Sequence, residues 1–270
     1  MKKFLCIVAL FFAADFTLSA QTPSRQLKQV LQLEMPGSSG TNGACVAWHP
    51  RYKKYYCAFA GNSTYPLAVF GPTGKLFSED EIETMVDVRG IWYNSSNNSI
   101  EANGYDDNGW ARYTLDGTGI PLSAEKFVYD MQQPDAQSVG AFDDQRKQVC
   151  FFEGGVLRFY DRSGDKQFFS IVLRLGEDKS QSENRSAKSQ SESFEDYNKT
   201  TVCYTGIVDA EFALLNTEKI QIELFNREGR RTRILPLPDD APLKTSFNFA
   251  YANSTYWLFD TGRRLWIGYK

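Results

Sequence analysis

The sequence contains a single histidine, His49, which restricts the catalytic chemistry available to the chain. A Ser-His-Asp triad could use only this residue, and a metal centre built from several histidines is impossible. Phosphate-binding glycine loops, the dinucleotide fingerprint and the Gly-x-Ser-x-Gly motif do not occur in the strand and helix context that their chemistry requires. We therefore predict no metal and no cofactor, and we assign His49 to a turn.

Carboxylates are the remaining catalytic candidates, because a glycoside hydrolase needs only a proton donor and a second carboxylate about 5–10 Å away. Six acids occur in polar turns: Asp87, Asp106, Asp107, Glu153, Glu218 and Asp260. No recognisable motif surrounds them, and the run 106–109 lacks the spaced ligands and distal glutamate of a calcium loop. The simpler interpretation is that these acids are solvated, so we assign no catalytic residue.

A second group of residues has the side chains of a carbohydrate-binding or peptide-binding site, in which aromatic rings accompany amides and charged groups. The candidates are Asp87, Arg89, Tyr105, Asp107, Tyr204 and Asn248, with Trp110 beside them. Arg89 interrupts a run of small and apolar residues, so it is either paired with an acid such as Asp87 or free to bind an anionic group. The alternative for the whole group is ordinary packing within the fold.

Four cysteines follow the N-terminal segment, and none has the Cys-x-x-Cys spacing of a metal site. Cys45 and Cys57 lie nearly opposite each other on predicted paired strands, so a disulfide is possible if the strand register allows it. Cys150 and Cys203 belong to neighbouring repeats. Free cysteine also packs as a small hydrophobic residue, and we favour four buried thiols.

The elements that must position these residues are short strands arranged in a repeat. The chain is 14% aromatic, and its short alternating runs between turns favour an all-β fold. Five segments share a plan of three apolar runs separated by polar turns, and four of them continue into a fourth run. The equivalent first-run positions are Trp48, Trp92, Phe142, Val208 and Tyr251. Their spacing is that of blade-sized units, and the first run of the fourth segment is predicted as 204–208.

The fifth segment ends without a fourth run, but the N-terminal stretch Leu27–Met35 has the alternation of a strand that could complete it. This plan resembles that of β-propeller proteins, and in architecture it is similar to secreted bacterial-type repeat propellers. The resemblance implies an all-β, five-bladed β-propeller. We expect the N-terminal strand to close the last blade, because closure removes two exposed sheet edges.

A period of two along the third strands predicts which side chains face the core, and Leu157 with Phe159 is one such pair. Arg112 occupies the corresponding position in the second repeat. It therefore requires a buried acidic or carbonyl partner, unless a bulge turns it to solvent. Small residues in the first strands, such as Gly90 and Gly140, are expected where radial blades crowd at an axis.

Residues Met1–Ala20 have the plan of a secretory signal, with two lysines before an apolar run and a small-residue cleavage site. We expect an exported protein, periplasmic or secreted, whose residues 21–270 form a single domain. Residues 176–199 are serine-rich and charged, which predicts a solvated insertion. The net charge of −3 argues against nucleic acid, and no later apolar stretch predicts membrane insertion. We expect a monomer.

The two ends of a propeller carry different loops. Loops that enter the first strands or join second to third strands form one end, here called the upper rim, and the other turns form the lower rim. Lower-rim turns are short and alike, so we expect the ligand on the upper rim and not beside His49. The predicted function is a non-enzymatic binding or scaffold module for an extracellular glycan or protein. The alternative is a carboxylate-based, glycan-active enzyme.

Overall fold

A computed structural model of the protein describes residues 25–38, 40–78, 82–130, 132–161, 167–175 and 193–270. The predicted signal, 1–20, and most of the predicted insertion, 176–199, lie outside the described residues. Two short 3-10 turns, Asp106–Asn108 and Phe194–Asp196, are the helical segments of the described chain. Nearly all other regular structure is antiparallel strand.

The strands form five sheets, each of which is one blade. Blade 1 contains β2 (Asn42–His49), β3 (Lys54–Ala60) and β4 (Ala68–Phe70). Blade 2 contains β5 (Val88–Asn94), β6 (Ser99–Gly104), β7 (Trp110–Leu115) and β8 (Pro121–Val128). Blade 3 contains β9 (Ala141–Asp143), β10 (Gln148–Glu153), β11 (Val156–Tyr160) and β12 (Gln167–Val172). Blade 4 contains β13 (Cys203–Tyr204), β14 (Phe212–Asn216), β15 (Gln221–Phe225) and β16 (Arg231–Pro236). Blade 5 contains β17 (Phe249–Ala252), β18 (Thr255–Asp260), β19 (Leu265–Tyr269) and β1 (Gln29–Glu34).

The first strands of the blades make a closed circle. Strand β2 contacts β5, and the contacts continue through β9, β13 and β17 back to β2. The fold is a five-bladed β-propeller, as the repeat predicts. All five blades therefore present their first strands to one axis, and any axial cavity is built from all of them.

The N-terminal strand closes the ring, which confirms that prediction. Strand β1 pairs antiparallel with β19, and Leu33 lies opposite Trp266. Beyond the strand, Lys28 and Lys270 exchange backbone hydrogen bonds of 2.7 and 2.9 Å. Leu33 is fully buried, so the closing strand also contributes to the core.

The core follows the predicted period of two. The core-facing residues of the third strands are buried: Leu67, Val69, Leu157, Phe159, Ile222 and Leu224. The crowding of first strands at the axis is also present. A Cβ atom on Gly90 would lie 2.6 Å from the backbone of Gly140 in the next blade. Only glycine fits at this junction between blades 2 and 3.

Arg112 has the buried acidic partner that its position requires. Its Nε donates to Glu101 Oε1 at 3.0 Å, and Glu101 is fully buried in β6. Asn94 and Trp92 also donate to Oε2 of Glu101, at 2.8 and 3.3 Å. The carboxylate is satisfied by several donors, as a buried charge must be.

Five hairpin turns share one design. A residue with a short polar side chain, or His49, begins each turn, and the fourth residue after it has a positive φ of 52–60°. The starting residues are His49, Asn94, Asp143, Asn216 and Asp260. In four of these turns the starting side chain accepts hydrogen bonds from backbone N–H groups inside the turn. His49 begins a turn, as predicted. It differs from the other four starting residues because its side chain is not a short polar one.

The first strand of blade 4 differs from its prediction. The strand ends at Tyr204, and residues 205–211 form a loop in which Gly206 and Asp209 have φ values of 67° and 59°. Val208, predicted inside the strand, is 76% exposed. Positive φ values interrupt extended backbone, so the apolar alternation here does not make a strand. Tyr204 consequently lies at the lower-rim end of its strand.

Candidate ligand site in the axial pocket

Three predicted site residues meet at the upper rim, around Arg89. Its Nη1 lies 2.5 Å from Asp87 Oδ1, its Nε donates to Gln137 Oε1 at 2.7 Å, and its guanidinium lies 4.7 Å from the centre of the Tyr105 ring. Phe247 lies on another side of the guanidinium at 5.5 Å. Arg89 is only 5% exposed. The acid-paired alternative is therefore the one present, and the guanidinium is held inside the fold.

Asn248 lies next to this cluster and joins blades 5 and 1. Its Oδ1 accepts the backbone N–H of Gly43 at 2.7 Å, and its Nδ2 donates to Ser246 O at 3.1 Å. Asn248 is 2% exposed. Asp107 is exposed in the 3-10 turn of blade 2. The upper-rim candidates thus consist of internal contacts and one solvated acid.

Two other predicted members of this rim are not part of its surface. Trp110 is fully buried and packs edge-on against Trp92, with ring centres 5.9 Å apart. It is a core residue, which agrees with the alternative of ordinary packing within the fold. Tyr204 faces the other end of the propeller, because its strand ends there. Placing Trp110 and Tyr204 among surface groups of the upper rim was wrong.

A pocket of about 270 Å³ lies on the axis, between the first strands of all five blades. Its outermost lining residues belong to lower-rim turns and are exposed: Pro50, Ser95, Asp144 and Asn253. The pocket therefore opens at the lower rim, opposite the Arg89 cluster. The pocket was not predicted from the sequence, although four of the five equivalent first-run positions, Trp48, Trp92, Phe142 and Tyr251, line it.

The wall of the pocket is aromatic and its floor is apolar. Every blade contributes at least one ring to the wall: Trp48, Trp92, Tyr93, Phe142, Tyr204 and Tyr251. Deeper along the strands, the floor is formed by small or aliphatic residues: Val46, Ala47, Ile91, Gly140, Ala141 and Val202, with the thiols of Cys45 and Cys203, while Ala252 lies between Tyr251 and the mouth. Apart from the tyrosine hydroxyls, the indole N–H groups and the two thiols, the polar side chains of the lining are at the mouth.

The rings of the wall are held by the residues behind them. Trp48 packs on Tyr55 with ring centres 4.5 Å apart, and Tyr251 packs on Tyr256 at 4.9 Å. The hydroxyl of Tyr93 donates to Asn98 Oδ1 at 3.0 Å. These three wall residues remain partly exposed. A ligand would meet rings whose positions are already set, which reduces the entropy lost on binding.

Asp144 is the single acid among the described residues that line the pocket. Its Oδ1 accepts hydrogen bonds from Ser95 Oγ and from Lys147 Nζ, the latter at 2.9 Å. Burial raises the pKa of Asp144, but these hydrogen bonds and the charge of Lys147 outweigh burial, so the pKa lies below its usual value. The mouth therefore carries a carboxylate that stays ionised near neutral pH.

A buried ion pair supports the pocket wall at blade 4. Arg227 binds Asp143 in a bidentate manner, at 2.6 and 2.9 Å, and Asp143 is fully buried. The same guanidinium lies 5.8 Å from the Tyr204 ring and donates to its hydroxyl at 3.3 Å. Burial and the charge of Asp143 raise the pKa of Tyr204 to about 12. Tyr204 is thus neutral and fixed against blade 3.

The acids considered for catalysis do not converge in this pocket. Glu153 pairs with Arg158 at 2.6 Å, and Asp260 pairs with Arg263 at 2.6 Å. Glu218 is exposed, and a hydrogen bond with Asp196 raises its pKa. Within the described ranges, no group of three or more His, Cys, Asp or Glu side chains could hold a metal ion.

All four described cysteines are buried free thiols. Cys45 lies opposite Ala58 and Cys57 lies opposite Val46, so the register is one residue away from pairing the two cysteines. Burial raises the pKa of Cys45 to about 11. The thiols in the floor of the pocket are therefore protonated and act as small hydrophobic groups.

No helix in the part of the chain that the structure describes is long and apolar enough to cross a membrane.

Two of the solved structures that match this chain are propellers with enzyme names. The crystal structure of Myxococcus xanthus glutaminyl cyclase matches with a TM-score of 0.52 and 6% identity, over 92% of this chain and 98% of that one. A streptogramin B lyase structure matches with a TM-score of 0.40 and 11% identity, over 84% and 65% of the two chains. No protein-family model matches the chain, and no curated protein is similar to it in sequence. At 6% identity the first likeness shows the fold alone.

Proposed function

We propose that this protein is an exported, non-enzymatic binding module that takes one group of an extracellular glycan or protein into the axial pocket. The observation that carries this proposal is the pocket itself, in which aromatic rings from five blades surround an apolar floor and polar groups stand at the mouth. Because the pocket opens at the lower rim, the proposed ligand site moves there from the upper rim that the sequence favours.

The size of the pocket suggests how much of the ligand enters it. Its volume of about 270 Å³ is slightly below the roughly 300–1,000 Å³ typical of small-molecule sites. One residue-sized group fits such a space, and the remainder of a larger ligand lies across the lower rim. The loop 205–211, with exposed Val208, stands beside Tyr204 at this rim and offers an apolar contact.

The enzymatic alternative has less support from the site. Glutaminyl cyclase and streptogramin B lyase are enzymes by name, but a shared fold does not carry a shared reaction. A carboxylate-based, glycan-active enzyme needs two acids on either side of the scissile bond. Among the described lining residues only Asp144 has a carboxylate, and Asp143 behind the wall is bound to Arg227.

A glycan array and a protein-ligand screen of the mature protein test the proposal. Tyr251→Ala removes a partly exposed ring from the pocket wall, and Tyr129→Ala removes a ring that is 71% exposed outside the pocket lining. Ligands that bind the wild type and Tyr129→Ala, but not Tyr251→Ala, support the axial site.

Two results would contradict the proposal. If binding survives Tyr251→Ala and is lost in Tyr105→Ala, the ligand occupies the upper rim. If the screened compounds are converted to products by the wild type, and Asp144→Asn abolishes conversion, the protein is an enzyme.

A further inference from the structure

We infer that the group entering the axial pocket is an alkylated ammonium, such as a trimethylammonium group. This inference rests on the proposed function and names the chemistry that the pocket selects. The observation behind it is the combination of aromatic lining residues from several blades, an apolar floor and a lining without a basic side chain.

The wall provides the attraction for positive charge. Aromatic faces carry negative potential, and a cation within about 6 Å of a ring centre is stabilised by it. The partly exposed rings of Trp48, Tyr93 and Tyr251 line the pocket from three blades, so a cation on the axis lies among several rings. Trp48, Tyr93 and Tyr251 are the partly exposed rings with no cation recorded over their faces in the described structure.

The floor excludes strongly polar groups. Val46, Ile91 and Val202 are typical of it, and apart from weakly donating thiols its side chains can make no hydrogen bonds. A sugar ring pushed to this depth would leave hydroxyl groups without partners, which is costly. Methyl groups on nitrogen need no hydrogen bonds, so an alkylated ammonium enters without that penalty.

The charges around the pocket also favour a cation over an anion. Lysine, arginine and histidine are absent from the described lining, and Asp144 provides a carboxylate at the mouth. Lys147 beside the mouth and Arg227 behind the wall are each paired with an acid, Lys147 with Asp144 and Arg227 with Asp143. Oδ2 of Asp144 accepts no hydrogen bond from the described residues, so it is accessible to a ligand at the mouth.

Isothermal titration of the mature protein tests this inference with a matched pair of probes. Choline carries a trimethylammonium group, and 3,3-dimethylbutan-1-ol has the same shape with carbon in place of the charged nitrogen. We expect choline to bind at least about ten-fold more tightly, since cation–π stabilisation of about 1–2 kcal/mol corresponds to that factor. Phosphocholine and a trimethyl-lysine peptide then distinguish a decorated glycan or lipid headgroup from a methylated protein as the source.

Variants separate the pocket from the rest of the surface. Tyr251→Ala should weaken choline binding about ten-fold, whereas Tyr251→Phe keeps the ring and should retain it. Asp144→Asn should weaken binding by a few-fold, because the charge at the mouth is lost. Tyr129→Ala and Asp130→Asn, which alter exposed residues outside the pocket lining, serve as controls and should bind as the wild type.

The inference is overturned if the neutral isostere binds as tightly as choline, if neither binds, or if Tyr251→Ala leaves choline binding unchanged. These outcomes are distinct from failure of the proposed function. If ligands from the screen require Tyr251 and choline does not bind, the ammonium inference is wrong and the proposed binding function stands. If choline binding requires Tyr251 and the screen finds no glycan or protein ligand, the ammonium inference stands and the proposed function is wrong.

Discussion

Three tyrosine rings surround His49 and control its protonation. The rings of Tyr52, Tyr93 and Tyr56 have centres 4.6, 4.7 and 6.4 Å from that of the imidazole. Nε2 lies 3.2 Å from the carbonyl oxygen of Asn98, so Nε2 carries the hydrogen and Nδ1 is bare. Burial lowers the pKa of His49 from its usual 6.5. The folded protein therefore resists protonation at this residue more than the unfolded chain does.

The stability of the protein should depend on pH through this residue. Below about pH 6.5 the unfolded chain binds a proton at His49 before the folded protein does, so the free energy of unfolding should fall as pH drops. It should be fully recovered above that pH. Urea unfolding at about pH 7.5 and 5.5 measures the difference.

The control is His49→Asn, because asparagine begins the equivalent turns at Asn94 and Asn216. This variant should keep the turn and lose most of the pH dependence between the two conditions. An unchanged dependence in the variant would assign it to other groups.

The buried pair Asp143–Arg227 should be far more important to stability than an exposed pair. Asp143→Asn keeps a side chain that can begin the turn but leaves the guanidinium, whose side chain is 13% exposed, without its counter-charge. We expect the free energy of unfolding to fall by about 3 kcal/mol. Chemical denaturation measures this.

The matched comparison is Glu195→Gln, which breaks the exposed pair with Lys199. That change should cost less than about 1 kcal/mol. The double variant Asp143→Asn, Arg227→Met should recover part of the loss, since the guanidinium that lost its main counter-charge is gone, while Glu211, 3.8 Å from Nε of Arg227, loses its partner. Equal effects of the buried and exposed changes would contradict this account.

At the scale of the elements, the closing strand β1 has a large share in holding the ring together. Deleting Arg25–Met35 removes the buried side chains of Leu33 and Met35 and leaves the edge of β19 unpaired. We expect aggregation or the loss of a cooperative transition, measured by size-exclusion chromatography and differential scanning calorimetry.

A point change in the same strand provides the control for this deletion. Val30 is 52% exposed, so Val30→Lys should retain a cooperative melting transition. If the deleted protein melts as the wild type does, β1 has no part in closing the ring.

The turns show which local signals sequence reasoning could use. The starting residues Asn94, Asp143 and Asp260 bond to their own turns, and such side-chain preferences are visible in the sequence. In the loop 205–211, by contrast, the local sequence pattern predicts the wrong structure. Its residues alternate as a strand would, but Gly206 and Asp209 adopt positive φ values. The strand ends at Tyr204, whereas the sequence predicted that it begins there, so Tyr204 lies at the lower rim and not at the upper rim.

At the scale of the whole molecule, the number of blades was predictable because each blade repeats its own short-range pattern. Closure of blade 5 by the N-terminal strand was predictable because the fifth repeat lacks a fourth run and the N-terminal strand belongs to no other repeat. The pocket was not predictable in the same way, because it depends on where five first strands end around one axis. Trp48, Tyr93 and Tyr251 are far apart in the chain, and only the closed ring brings them together.

The contact between blades 2 and 3 gives a test of that closed geometry. Gly90→Ala places a methyl group about 2.6 Å from the Gly140 backbone, so the two blades must move apart. We expect the free energy of unfolding to fall by about 1–3 kcal/mol. Gly117→Ala is the matched control, because no atom lies within 4 Å of its added methyl group and its φ is not positive. Equal stability of the two variants would show that the blades do not meet as closely as described.

The distribution of tryptophans has an optical consequence. Trp48 and Trp92 line the axial pocket, while Trp110, Trp257 and Trp266 are fully buried. Indole fluorescence shifts to shorter wavelength when water leaves the ring. A ligand that fills the pocket displaces water from partly exposed Trp48, whereas Trp92, which is 5% exposed, and the three fully buried indoles supply a constant background. The protein therefore carries its own spectroscopic reporter of pocket occupancy, without an attached dye.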